Sequence, residues 1–270
     1  MKTNWKKVSV VLLVGYVFTY AAIDKAYATA STHIWAPSTD VQSYDTGHIT
    51  ADVYIPTQRN GDGSRANTIT NTGLTFGLLP FQKFNAEAGF DYKTGYGKLD
   101  SYPIYFNGKV GIPEDAFGRY FPAIAGGIYD FGTQADKTTN NIFYAKVAKT
   151  LKINNFSLGR YSIGYFWGND KLLLNQQGEK DANGILAAWE RTVPEINDKL
   201  WLCVEYQGTK SSYGALNVGF SWKFTPSTSV LLGYQFYNNR ELADTATIQV
   251  DVDFDFIVRK LQKWKKTKKE

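Results

Sequence analysis

The sequence predicts an all-β chain, an antiparallel up-and-down barrel of about twelve strands that crosses a membrane. Three observations predict it: alternation of apolar and polar residues from about Thr46 to Phe256, an aromatic content of 16 %, and the absence of any spanning helix. Hydrophobic residues make up 43 % of the 270 residues. No stretch beyond the N-terminus approaches the roughly 20 consecutive apolar residues that a membrane helix needs. The 18 Tyr, 17 Phe and 7 Trp exceed what a soluble core of this size requires. Two aromatic belts at a membrane surface use such rings well.

The first 28 residues have the pattern of a secretory signal peptide. Lys2, Lys6 and Lys7 precede an apolar run from Val8 to Ala22, and Ala26-Tyr27-Ala28 supplies a small-x-small cleavage site. Residues 29–46 follow as a periplasmic lead-in, within which Ser31–Asp40 is either a short connector or a plug at the barrel mouth. The barrel proper is expected over 47–257, and 258–270 is a basic tail. Cys203 is the only cysteine, which excludes an internal disulfide and any Cys-rich metal site. The net charge of +5 divides unevenly. Lys2, Lys6, Lys7 and Lys25 outweigh Asp24 by three, seven tail Lys and Arg outweigh Glu270 by six, and the body between carries −4. The basic character therefore says nothing of nucleic acid, which the export signal also argues against.

Within the body, period-two segments predict strands at 47–56, 68–79, 83–96, 101–112, 120–131, 141–152, 157–168, 183–193, 199–209, 213–224, 228–238 and 246–257. The last is the most regular: Ile248, Val250, Val252, Phe254 and Phe256 share one face, and Gln249, Asp251, Asp253 and Asp255 the other. Short connections follow strands two, six, eight and ten; longer polar ones follow strands one, five, seven and eleven. That rhythm suits short turns at one rim of a barrel and long loops at the other. The connections after strands three and nine are shorter than the rhythm asks, and Pro113–Arg119 is longer. Glycines inside strands, Gly219 and Gly233 among them, suit a strongly curved sheet.

A final strand of alternating apolar residues ending in Phe, at Thr247–Phe256, resembles the C-terminal insertion signal of Gram-negative outer-membrane β-barrels. With the signal peptide and strand pattern, the resemblance covers nearly all of the chain after residue 28. It departs from the class in that residues follow Phe256. The resemblance implies residence in the outer membrane, contact with its lipid, and a porin-like role.

Strand parity gives the lumen a charged lining. Its acids are Asp52, Glu87, Asp91, Glu205, Asp251, Asp253 and Asp255; its bases are Lys93, Lys109, Lys146, Arg160 and Lys223. Same-face residues on one strand lie only about 7 Å apart, so the three acids of the last strand need water or cations beside them. A wet lumen makes these charges a transverse field across a pore for small polar solutes. A dry lumen makes them a salt-bridge network that fills a structural barrel. The third reading is a lipid-modifying enzyme, for which only His33 and His48 are available as bases. No serine lies in a GxSxG elbow and no metal-ligand spacing occurs, so no catalytic residue, metal or cofactor is assigned. The expected state is a monomer, with the basic tail meeting an anionic periplasmic surface.

Overall fold

The computed structural model describes residues 31–154 and 156–256; the expected signal peptide and basic tail lie outside them. Twelve strands form: β1 Thr46–Pro56, β2 Ile69–Gly77, β3 Asn85–Thr94, β4 Ile104–Ile112, β5 Ala123–Gly132 and β6 Thr139–Ile153, then β7 Phe156–Trp167, β8 Asn183–Thr192, β9 Leu200–Gln207, β10 Ala215–Thr225, β11 Thr228–Tyr237 and β12 Thr245–Asp255. Every strand is antiparallel to its sequence neighbour, and β12 returns to pair with β1 from Thr46↔Asp255 to Pro56↔Thr245, closing the barrel. Closure satisfies the backbone N–H and C=O groups that an open edge would leave in lipid. The expected strands are all present, displaced at their ends by at most three residues. Among the described residues the only helical element is a 3-10 turn at Gly97–Ser101, in the connection after β3.

Parity sorts the side chains as the alternation requires. On β12, Ile248 and Val250 are 43 % and 37 % exposed, whereas Thr247 and Asp253 are each 1 % exposed. The outer wall is thus aliphatic and the inner wall polar, the reverse of a soluble barrel. Aromatic rings mark both rims of the outer wall. Phe143 and Trp167 stack at 5.9 Å near the loop end, and Phe76 and Phe256 at 5.6 Å near the turn end.

One departure from strict alternation matters inside. Register slips between β5 and both of its neighbours, at Phe106/Gly108 and at Tyr129/Phe131. Asp130 takes a φ of 52°, and the resulting bulge turns Tyr129 and Asp130, consecutive in sequence, both inward. Strand parity alone would have sent one of them into the lipid.

Candidate functional site

The lumen is occupied. Residues 31–42, within the segment read as a lead-in or a plug, run inside the barrel. The chain doubles back at His33–Ala36, where the His33 amide donates to the Ala36 carbonyl at 2.8 Å, with a bridge between Thr32 and Pro37. Trp35 sits at the tip, its ring edge-on to Tyr54 at 5.0 Å and near Tyr213 at 6.3 Å, towards the loop end. A hairpin with so many buried peptide groups needs polar partners, since lumen water alone cannot reach them. The inward charges of the wall supply them.

Glu205 is the centre of this grip. Its carboxylate accepts from three consecutive amides, Ile34 (3.3 Å), Trp35 (2.7 Å) and Ala36 (3.1 Å), and from the Asn217 side chain (2.6 Å). Successive N–H groups converging on a carboxylate form a concave anion nest, with charge-assisted bonds stronger than neutral ones. The bases hold the carbonyls. Lys146 Nζ donates to the Pro37 carbonyl at 2.9 Å, and Lys109 Nζ to those of Ser31 (2.7 Å) and Asp40 (2.6 Å). Arg160 grips the Asp40 carboxylate through one guanidinium nitrogen (2.7 and 2.8 Å) and Thr39 Oγ1 through another at 2.6 Å. Glu87 pairs with Lys109 at 3.2 Å and accepts from the Gln42 amide.

Apolar contacts are fewer but specific. Ile34 packs against Cys203 and Leu231 and lies over Gly219 and Gly233, which face each other across β10 and β11. A Cβ built on either glycine would come within 3.0 Å of the Ile34 side chain. The glycine pair is therefore a seat for this residue. Ala36 enters a buried cluster with Ile142, Tyr144, Phe166 and Leu186.

The remaining predicted charges lie on the opposite wall or near the turn end. Lys93 is paired with Asp130, whose other oxygen accepts from Tyr213. His48, on β1, sits between the acids of β12, 2.8 Å from Asp253 and 3.3 Å from Asp251, which relieves their mutual repulsion. Asp52 and Asp91 are linked through the Asn71 side-chain amide, at 3.0 and 3.2 Å. Asp251 and Lys223 border a cavity near the turn end, and Asp255 lies on the innermost-facing parity of the β12 rim. Both histidines point into the lumen among carboxylates, away from the lipid-facing wall.

Parity reasoning did not single out Glu190, Asn217, Asp130 or Asp40. Glu190 shares a face with Gly184, Leu186 and Ala188, and so was findable; it reaches His33 at 3.3 Å and Arg160 at 3.6 Å. Asp130 was not findable, because the bulge reverses its parity.

Two cavities remain beside the hairpin. One, of about 130 Å³, runs along β1–β5 from Tyr96 and Ile69 down to Glu87. The other, of about 370 Å³, lies on the turn side between Glu190, Lys199, Trp201 and Lys223. They share Thr32, His33, His48 and Asp251 as a common border.

No protein-family model matches the chain, and no curated protein matches it in sequence. The chain is a closed twelve-stranded antiparallel β-barrel with an apolar outer wall. Solved structures similar to it include an outer membrane channel from Pseudomonas putida F1, at 10 % identity and a TM-score of 0.43 over 86 % of this chain and all of that one. The KdgM porin matches at 9 % identity and a TM-score of 0.48, over 77 % of this chain and 99 % of its own. Outer membrane phospholipase A from Escherichia coli matches at 11 % and 0.40, over 86 % and 99 %.

Proposed function

We propose that the chain is a monomeric outer-membrane channel of narrow bore, through which small polar solutes diffuse passively past the internal hairpin. An aliphatic outer wall with aromatic rims supports placement in a bilayer. The observation that carries the channel reading is the shared border of the two cavities at His48 and Asp251. One cavity reaches Tyr96, near the loop end, and the other Lys199, in the connection after β8 at the turn end, with the hairpin lining both. Asp52, Asp91 and Asp251 border that route, so the passage favours cations over anions. The bases Lys109, Lys146 and Arg160 are committed to the hairpin and contribute less to selectivity than an empty barrel would give them.

The test is single-channel recording of the refolded full-length protein in a planar bilayer under a salt gradient. The expected result is small, ohmic steps with a reversal potential on the cation side. Replacing Asp251 with Asn is expected to move that potential towards zero. A silent bilayer, with insertion confirmed by heat-shifted gel mobility, overturns the channel reading in favour of a sealed barrel. The density of charge-assisted bonds around residues 31–42 is the observation that favours that second reading.

A further inference from the structure

The cavity along β1–β5 has a composition that the hairpin's grip does not explain. Most charged groups around it are matched: Glu87 by Lys109, Asp130 by Lys93, and Asp251 by His48. Asp52 and Asp91 are the exception. Among the described residues no Lys, Arg or His comes within ion-pair distance of either carboxylate, although the charge of Lys93 acts on Asp91 from farther away. They are held by neutral donors only: Thr50 and Asn71 for Asp52, Asn71 and Asn107 for Asp91. Asn71 spends its amide hydrogens on both, which fixes its orientation, and its Oδ1 is left buried with no hydrogen-bond partner. Two carboxylates and an idle acceptor thus line one wall.

Aromatic rings line the same cavity: Trp35 at the hairpin tip, Tyr54 on the same face of β1 as Asp52, and Tyr96 in the connection after β3. The space between accommodates on the order of ten waters. A group that meets both the acids and the rings needs N–H donors with positive charge at one end and carbon surface for the rings, and aromatic faces themselves attract ammonium groups. Neutral polyols would meet the rings and acceptors but leave Asp52 and Asp91 without a cation in contact. Anions are repelled outright.

We propose that this cavity is a binding site for small organic cations with a short carbon chain, the alkyl-amine and alkyl-diamine class, whose ammonium group sits between Asp52 and Asp91. The assignment deepens the channel reading and rests on it only for the route by which the solute arrives.

The experiment is calorimetric titration of the detergent-refolded full-length chain with 1,4-diaminobutane and with its neutral counterpart, 1,4-butanediol. The diamine is expected to bind and the diol to give no heat. Asp52→Asn and Asp91→Asn are each expected to weaken diamine binding several-fold, and together at least tenfold. Binding of the diol as tight as that of the diamine overturns the proposal, as does a diamine affinity unchanged in both single variants. No binding of the diamine to the wild-type protein overturns it too. Heat-shifted gel mobility reports folding of each variant, and each single variant carries the test if the double variant does not refold. Calorimetry needs no current, so the two readings fail separately. A conducting protein that ignores the diamine loses only this site; a silent protein that binds it loses only the channel.

Discussion

The two sides of the lumen differ sharply. Along β6–β11 the wall is in contact with residues 31–42: Glu205 and Lys146 bond its backbone, and Ile34 fits over the Gly219–Gly233 pair. Along β12–β1–β5 Glu87, Lys109 and Gln249 also reach the hairpin, but Asp52 and Asp91 border open space. Both walls follow the same inward alternation, so the difference arises from the hairpin and not from the strands. A charged lining by itself does not make a pore or a filled barrel; what decides is whether another segment arrives to use the charges.

The largest effect is expected from breaking the occupied side. Glu205→Ala leaves three buried amides and the Asn217 side chain without their acceptor. That should cost about 3 kcal/mol or more, since an unmade buried hydrogen bond costs up to its full desolvation. Thermal unfolding followed by the heat-shifted gel band measures it, and conductance should rise as the hairpin loosens. A wild-type melting temperature in this variant would show that the hairpin is not held where we place it. Next in size is overpacking of the glycine seat. Gly233→Val forces Ile34 out of its position at about 1–3 kcal/mol, and the same change in the Ile34→Ala background should be much milder, since Ile34 Cγ2 is the nearest atom a Cβ there would meet. A double-mutant cycle without coupling would separate the glycine from Ile34.

A smaller effect belongs to the turn end, outside the strands. Burial raises the Glu114 carboxyl, but hydrogen bonds from the Thr150 amide and hydroxyl, with Lys149 beside it, hold it below the usual carboxylate range. A carboxyl depressed in the folded state gives stability above its unfolded value and loses it as pH falls through the folded one. Glu114→Gln should therefore flatten the acid limb of stability and leave stability at low pH little changed, as pH-dependent melting would show.

Sequence alternation located every strand because lipid outside and water or polar groups inside impose period two with little tolerance. The inward direction of Asp52, Glu87, Lys109, Lys146 and Glu205 followed from the same rule. Their partners did not follow. Residues 31–42 have no periodicity, and nothing in the order Ser31–Asp40 says that its amides will meet a glutamate some 170 residues later. Asp130 was hidden for a different reason: a single left-handed residue shifts the parity, and no local composition marks it. Alternation reports which way a wall faces, not what stands before it.

The glutamate nest also bears on assembly. β1 can join only β12 and β2, and its partnership with β12 spans nearly the whole barrel sequence, the kind of distant pairing that makes β topologies slow to form. The hairpin immediately precedes β1 and touches β9 through Glu205 and β12 through Gln249. In the closed barrel it therefore ties the segment before β1 to β9 and β12 from inside. The first strand is thereby held at the seam that the last strand closes.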